Sequence, residues 1–317
     1  MNRTSSRFIV GVTVIVAMTA AACQGTAGRL ASRTPLNVLV YRVGYPLIAD
    51  HLRRALSHAM PGMDVVVRPS EGSALRDVEQ VQSGEADVAF PLADTAYLAS
   101  VGQLEGQSRR YDQIRGIAVL QLNPVLLLVR GDSDIHDIES LRRHRVGIGG
   151  VGSSTSQTAR IVIRALGLDV TEVHIDGLDP SIASLAAGQV DAIFAVASYS
   201  KSIPAAIHAG ARILSLSGPT VDRLRLEHPF FRRIVMPSDQ YGGATVRTIA
   251  LDRILICRGD LDKSTVYTIT KVLFEELPTL ATLDVALKDV DIEQAPSTPI
   301  ALHVGAARYY REREWSR

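Results

Sequence analysis

Cysteine is scarce in this sequence, since Cys23 and Cys257 are the only two among 317 residues. Two cysteines cannot form the disulfide framework of a small secreted domain, and these two lack the close spacing of a zinc site. The motifs G-x-S-x-G and H-E-x-x-H are absent, and the histidines are scattered. We therefore predict no metal site, and we expect no cofactor. Cys257 follows the apolar residues 254–256, so we expect a buried thiol there.

Neither sign of charge predominates, because the chain has 34 Lys and Arg residues and 33 Asp and Glu residues, which gives a net charge of +1. There is no basic stripe and no interleaving of aromatic with basic residues, the features by which nucleic-acid-binding proteins are known. We therefore exclude nucleic acid as a partner. Low-complexity blocks and like-charge tails are missing too, so most of the chain is predicted to be globular.

A long membrane-spanning run is also missing. Arg3 and Arg7 precede a mainly apolar run at residues 8–18, followed by small residues up to Cys23. Even counted through Ala22 the run has about 15 residues, whereas a helix needs roughly 20 to cross a bilayer. The layout is typical of a signal peptide, here residues 1–22, and predicts an exported protein; a permanent transmembrane helix is the weaker alternative.

The residues around the expected cleavage site allow two kinds of processing. Ala20-Ala21-Ala22-Cys23 resembles the lipobox of bacterial lipoproteins, in which the cysteine is lipidated, although the lipobox prefers leucine where Ala20 stands. The same alanines fit an ordinary A-x-A cleavage site. We favour lipidation of Cys23, which would place the protein in the periplasm or at an extracytoplasmic membrane face, with residues 23–35 as a linker.

The remaining chain contains the same pattern of strands and helices twice. Apolar runs of strand length alternate with segments of helical periodicity in the order β-α-β-α-β. In the first copy the strands are expected at residues 38–41, 64–68 and 86–90, with helices at 46–59 and 74–82. In the second copy the strands are expected at residues 145–148, 171–175 and 190–196, with helices at 158–166 and 181–187.

Each copy ends with a similar short sequence. Gly84 and Gly188 are each expected to cap the end of the preceding helix. Asp87 and Asp191 follow these glycines by three residues, each before a buried strand. A functional carboxylate is one interpretation, but an aspartate that stabilises the turn at a strand entrance is the preferred one.

Two such copies predict an α/β protein with two lobes, each a mostly parallel sheet flanked by helices, and a ligand cleft between them. The largely apolar residues 125–129 and 248–256 flank the second copy, so we expect them to be the crossing strands. Lobe one is then residues 36–126 plus 252–317, and lobe two is residues 127–251. Further helices are expected at residues 263–277 and 304–313.

The loops after the strands offer the candidate ligand-binding residues. Such loops lie at helix starts, where free N–H groups and the helix dipole favour an anion, although Ser and Thr also occur there simply as helix caps. The candidates are Arg42, Tyr45, Ser70, Gly72, Ser73, Asp94, Thr95, Gly152, Ser153, Ser154, Thr155, Ser198 and Tyr199.

One loop also matches the dinucleotide-binding fingerprint. Residues 147–152 read G-x-G-x-x-G between a strand and a helix, and Asp176 ends the next strand. Nicotinamide cofactors are not freely supplied outside the cytoplasm, and no residue stands out as a partner for hydride transfer. An exported dinucleotide-dependent enzyme is therefore kept only as an alternative.

From about residue 38 to 311 the chain resembles the TAXI family of TRAP-transporter solute receptors, which have the type II periplasmic binding protein fold. The order and spacing of several stretches agree with that family: Ser83-Gly84-Glu85-Ala86-Asp87, Asp94-Thr95-Ala96-Tyr97, residues 124–130, Gly152-Ser153-Ser154-Thr155, His228-Pro229-Phe230 and residues 302–310.

The resemblance implies a receptor that captures a small organic solute, often a carboxylate or an amino acid, and delivers it to the membrane permease of a TRAP-type transporter. Such a receptor has no catalytic residues. It adds Tyr241 to the ligand-binding candidates and predicts a monomer. Three loops depart from the family pattern, with Arg42, Glu71 and Leu92-Ala93 among the replacements, so the ligand stays open. A sensor or interaction lipoprotein of the same fold is the second hypothesis.

Overall fold

The computed structural model describes residues 34–41, 45–70, 73–197, 200–236 and 245–315. The first copy of the repeated pattern is present, and its strands are parallel in the order β2-β1-β3. Val38 is central, with Val67 opposite on one side and Val88 on the other. The elements are β1 (Thr34–Val40), α1 (Tyr45–Ala59), β2 (Met63–Pro69), α2 (Ala74–Ser83) and β3 (Val88–Ala89).

The second copy repeats this arrangement, with parallel strands in the order β6-β5-β7. Its elements are β5 (Arg145–Gly147), α4 (Ser154–Ala165), β6 (Thr171–Val173), α5 (Leu178–Ala186) and β7 (Ala192–Val196). The predicted order of strands and helices is therefore confirmed in both copies. Several strands are shorter than predicted, because apolar residues beside a strand can be buried without joining its hydrogen-bond ladder.

Asp87 and Asp191 have equivalent contacts in the two repeats. The N–H of Asn37 donates to Asp87 Oδ2 at 2.7 Å, and the N–H of Arg145 donates to Asp191 Oδ2 at 2.9 Å. In the opposite direction, the N–H of Asp87 donates to the carbonyl oxygen of Asn37, and the N–H of Asp191 donates to the carbonyl oxygen of Arg145, each at 2.8 Å. Hydrogen bonds from Arg145 also lower the pKa of Asp191. These contacts join the first and third strands of each repeat, which accounts for both aspartates structurally.

Two long antiparallel strands connect the repeats, β4 (Ile114–Arg130) and β10 (Val246–Arg258). They pair with each other up to the contact of Pro124 with Ala250. Beyond that point β4 pairs with β7 and β8 (Ala211–Leu214), and β10 pairs with β9 (Phe231–Met236). The strand order is β2-β1-β3-β10-β4-β7-β5-β6, so the expected crossing strands are those that link the two sheets.

The other α-helices lie between and after these strands: α3 (Ala93–Val101), α6 (Ser202–His208), α7 (Pro219–Glu227), α8 (Lys263–Glu275), α9 (Leu277–Leu283) and α10 (Val304–Trp315). The helix predicted for residues 263–277 is confirmed as α8, which ends two residues earlier, at Glu275. The helix α9 was not predicted; it begins at Leu277, and Pro278, which has no N–H to continue α8, lies in its first turn. In the parts of the chain that the structure describes, no helix combines the length and apolar character needed to cross a membrane.

Apolar residues fill the space between the sheet and its helices. One cluster includes Leu36 and Val38 of β1, Leu255 of β10 and Val266 of α8, all 2% exposed or less. Cys257 belongs to the same cluster and is fully buried, as predicted; burial raises the pKa of its thiol.

Close packing of α10 on α8 depends on the absence of a side chain at Gly305. A Cβ atom there would lie 2.3 Å from the Lys263 carbonyl oxygen and 2.9 Å from the Tyr267 nitrogen. We expect Gly305→Ala to lower the free energy of unfolding by about 2–3 kcal/mol, because overpacking forces the helices apart. Urea unfolding measures this. Gly62→Ala is the control, since a Cβ there has no neighbour within 4 Å; equal effects of the two changes would contradict the explanation.

Candidate functional site

A cleft of about 660 Å³ lies where the carboxyl ends of the strands of both repeats meet. This is the place where open α/β sheets bind ligands. Three groups of residues line it. The first repeat and the residues just after β3 contribute Tyr41, Ser70, Ser73, Ala74, Asp77 and Leu92. The second repeat and the residues after β7 contribute Ser153, Ser154, Thr155, Leu178, Val196, Ala197 and Ser200. The crossing strands, the end of α9 and the segment after it contribute Gln121, Asn123, Arg253, Leu283, Asp284, Val285 and Ala286.

Two helix N-termini border the cleft, one from each repeat. Ser73 caps α2 by accepting the N–H of Arg76 at 3.1 Å, and Ser153 caps α4 by accepting the N–H of Ser156 at 3.1 Å. Capping uses the hydroxyl oxygen as acceptor and leaves the O–H group as a donor. Ser154 and Thr155 lie in the first turn of α4 and also line the cleft. Both helix dipoles therefore present their positive ends to this space.

Arg253 is the one cationic side chain among the described residues that line the cleft. It lies on β10, donates from Nη1 to the Phe90 carbonyl oxygen at 2.7 Å, and places its guanidinium 4.7 Å from the centre of the Tyr41 ring. Burial lowers its pKa, and the nearby Tyr41, Asp77 and Asp284 oppose that change. An arginine keeps its charge in such surroundings because its ordinary pKa is so high.

Two carboxylates balance this cation, and both have donors within the protein. Asp77 accepts the Ser70 hydroxyl at 2.7 and 2.8 Å. Asp284 accepts the Tyr41 hydroxyl at 2.5 Å and the N–H of Ala286 at 2.9 Å. Burial and the contact with Asp284 raise the pKa of Tyr41, so its hydroxyl stays protonated and remains the donor.

Gln121 and Asn123 of β4 bring polar groups to the floor of the cleft. Asn123 donates to the carbonyl oxygens of Gln121 and Leu251, each at 3.3 Å. Gln121 is 6% exposed, and its Oε1 has no hydrogen-bond partner among the described residues. Sequence reasoning missed both residues and Arg253. The sequence did contain a signal for them, because polar side chains interrupt two otherwise apolar strands at these positions.

Asp94 and Thr95 do not line the cleft. They belong to the first turn of α3, where a loop was expected, and are 0% and 2% exposed. The Asp94 carboxylate accepts the N–H of Thr95 at 2.7 Å, together with Gln157 Nε2 and Thr158 Oγ1 of α4, each at 3.1 Å. These bonds connect the helix after the first repeat to a helix of the second repeat. A contact of either residue with a ligand stays a prediction.

The other predicted site residues differ in what the structure describes. Ser70, Ser73, Ser153, Ser154 and Thr155 line the cleft together. Gly152 precedes the α4 cap with φ +71°, a conformation that favours glycine. Of Tyr45 only the helix backbone is described, and Cys23, Arg42, Gly72, Ser198, Tyr199 and Tyr241 lie outside the described residues.

The glycines of the dinucleotide fingerprint have local structural reasons. Gly149 has φ +80°, and a Cβ at Gly150 would lie 2.7 Å from Asp176 Oδ1. Asp176 therefore packs directly against the turn. Among the described residues, no three His, Cys, Asp or Glu side chains are grouped so that they could hold a metal ion.

Several solved structures share this architecture. XAC2383 from Xanthomonas citri, determined bound to ATP, is 13% identical, with 88% of this chain and 98% of that chain covered and a TM-score of 0.57. The periplasmic binding protein BugD is 16% identical, with 88% and 95% covered and a TM-score of 0.54. A TctC solute-binding protein from Polaromonas is 17% identical, with 90% and 99% covered and a TM-score of 0.50.

The likeness to these structures establishes the two-lobed periplasmic binding protein fold, with a sheet and flanking helices in each lobe and the cleft between. The sequence comparison covers nearly the same part of the chain, since the profile of the NMT1-like family matches residues 45–313. The chain therefore belongs to the NMT1-like family.

Proposed function

We propose that the protein is an extracytoplasmic solute-binding receptor and that its two lobes close around a small organic solute. The observation that carries this proposal is the cleft itself, which takes its lining from both repeats and from the strands that link them. A ligand held there contacts both lobes at once, so it stabilises their closed arrangement.

The polar groups of the cleft favour a solute with an anionic group, such as a carboxylate or an amino acid. The capped N-termini of α2 and α4 and the guanidinium of Arg253 all offer donors or positive charge. Asp77 and Asp284 already accept hydrogen bonds from the protein, so neither needs a cationic ligand. Leu92, Leu178 and Val196 supply apolar surface for the rest of a small solute.

The residue types in the described lining of the cleft agree with ligand binding without catalysis. The described lining of the cleft contains no histidine, cysteine, lysine or glutamate. Its serines therefore lack the histidine or lysine partner that activates most serine nucleophiles, and the Ser70 hydroxyl donates instead to the carboxylate of Asp77. We accordingly propose a receptor and not an enzyme.

A thermal-shift screen of the purified protein tests the proposal. An organic acid or amino acid at a hundred times its dissociation constant adds about 2.7 kcal/mol of stability and raises the melting temperature, whereas neutral sugars do not. Nucleotides and dinucleotides belong in the same screen, because they test the enzyme alternative. Stabilisation by a dinucleotide alone, or by none of these compounds at millimolar concentration, would contradict the proposed receptor.

Delivery to a TRAP-type permease rests on the resemblance to TAXI receptors. If it is correct, a strain without this protein loses uptake of the solute identified by the screen, and the uptake depends on an ion gradient. Normal uptake in that strain favours the sensor hypothesis instead.

Mass spectrometry of the processed N-terminus tests the lipidation of Cys23, which would leave a lipid on the first residue of the mature protein.

A further inference from the structure

A second cavity, of about 280 Å³, lies between α7 and the β9–β10 strand pair. Among the described residues, none lines both this cavity and the ligand cleft. Its walls include three arginines from three elements, Arg225 of α7, Arg233 of β9 and Arg247 of β10. This cavity has no part in the function proposed above.

The strand register brings two of these arginines to the same face of the sheet. Arg247 lies opposite Val235, and Ile249 lies opposite Arg233. Side chains two residues apart in a strand point to the same side, so Arg233 and Arg247 are diagonal neighbours. Arg225 approaches from the helix that covers this face.

The positive charge of this cavity is only partly neutralised. Asp222 is the one acidic residue of its described lining; it accepts a hydrogen bond from Arg233 and lies 3.7 Å from Arg225. Three arginines and one aspartate leave a net charge of +2. Within the described parts of the chain, no carboxylate lies within ion-pair distance of Arg247, and the buried Nε of Arg225 has no hydrogen-bond partner.

The start of α7 adds to the positive potential. The helix follows Gly218, which has no side chain to cap it, and Pro219 occupies its first turn. Gly218 also lines the cavity. The positive end of the helix dipole therefore faces the same space as the three arginines.

We propose that this cavity binds a phosphate group. A net charge of +2 matches a dianion, and arginine forks suit the oxygen geometry of phosphate. A cavity open to solvent leaves room for a substituent on the phosphate. The source is then free phosphate or the head group of an anionic phospholipid, and both offer the same oxygens to the arginines.

Isothermal titration calorimetry with inorganic phosphate tests the site on the purified protein. The unmodified protein is expected to bind phosphate saturably with a dissociation constant below about 1 mM, and Arg247→Gln to weaken binding at least tenfold (about 1.4 kcal/mol). Arg223→Gln is the matched control, because Arg223 is exposed on the same helix and does not line the cavity. It should change the dissociation constant less than about twofold.

Vesicles distinguish the two sources of phosphate. Cosedimentation with phosphatidylglycerol vesicles, but not with phosphatidylcholine vesicles, would identify a lipid head group if Arg247→Gln abolishes it. Free phosphate is the source if calorimetry responds and the vesicles do not. The proposal is overturned if neither probe binds, or if Arg247→Gln binds as the unmodified protein does. Phosphate binding lost in Arg253→Gln but kept in Arg247→Gln would place the ion in the ligand cleft and also overturn it.

Discussion

Asp94→Ala will lower the free energy of unfolding by about 3 kcal/mol, measured by urea denaturation followed by circular dichroism. The fully buried carboxylate accepts hydrogen bonds from Thr95, Gln157 and Thr158. Alanine removes the acceptor of the Thr95 N–H and of the buried Thr158 hydroxyl, whereas Gln157 keeps its hydrogen bond to Thr95 Oγ1 at 3.3 Å. The cost of unpaired buried donors therefore adds to the cost of the cavity.

Asp64→Ala is the matched control, because Asp64 is exposed on β2. Surface substitutions of this kind change stability by less than about 0.5 kcal/mol. Similar losses in the two variants would show that the hydrogen bonds of Asp94 do not stabilise the contact between α3 and α4.

The same carboxyl group should give a pH dependence of defined sign. Burial raises the pKa of Asp94, and its hydrogen bonds only partly oppose this. Between the unfolded pKa, about 3.9, and the higher folded pKa, the native state binds the proton more tightly than the unfolded chain does. The contribution of Asp94 to stability is thus fully present below this window and decreases as the pH rises through it.

Asp94→Asn isolates this effect, since asparagine does not titrate. The stability of the unmodified protein minus that of the variant should fall as the pH rises from about 4. Urea unfolding of both proteins over a pH series measures the difference. A constant difference would mean that the carboxyl group titrates alike in the folded and unfolded chains.

The contact made by Asp94 also bears on the ligand cleft. Gln157 and Thr158 lie in α4, whose capped N-terminus borders the cleft. A second contact nearby joins Tyr97 of α3 to Phe230, with ring centres 5.6 Å apart. The hydrogen bonds of Asp94 hold α4 against α3, so they position the helix end that the solute is proposed to meet.

The features predicted well from the sequence are those that local chemistry determines. The glycine after α2 was expected as a helix cap, and Gly84 has φ +83°. Two runs of alternating strands and helices predicted two parallel sheets, because consecutive parallel strands are joined by a helix. The aspartates before β3 and β7 were interpreted as turn residues, and their backbone contacts agree with that.

The features missed are those that depend on tertiary contact. Asp94 follows a strand, as ligand-binding residues do, but α3 begins at Ala93 and turns its carboxylate toward α4. Arg253 lies in a strand that the sequence indicated only as a link between lobes, and Gln121 lies in the part of β4 that precedes the predicted strand at residues 125–129. Both side chains reach the cleft because β4 and β10 pass between the two sheets there. A local sequence pattern does not indicate where two strands cross.

Arg253→Gln is expected to weaken the binding of an anionic solute by about a hundredfold, or about 2.7 kcal/mol. Charge-assisted hydrogen bonds from a guanidinium to a carboxylate are among the strongest polar contacts in proteins. The substitution also leaves Asp77 and Asp284 without the cation between them, so the cleft becomes repulsive toward an anion. Calorimetry with the organic acid that gives the largest thermal shift measures the loss.

Two further variants separate the causes of this loss. Arg253→Lys keeps the charge but not the planar fork, so an intermediate affinity is expected if the fork contacts the solute. Adding Asp284→Asn to Arg253→Gln removes one carboxylate that repels the anion. If this repulsion contributes to the loss, the double variant should bind the solute about tenfold more tightly than Arg253→Gln alone. Arg109→Gln, an exposed arginine outside the described lining, is the control and should leave affinity unchanged. Undiminished binding in Arg253→Gln would mean that the helix N-termini hold the anion without this arginine.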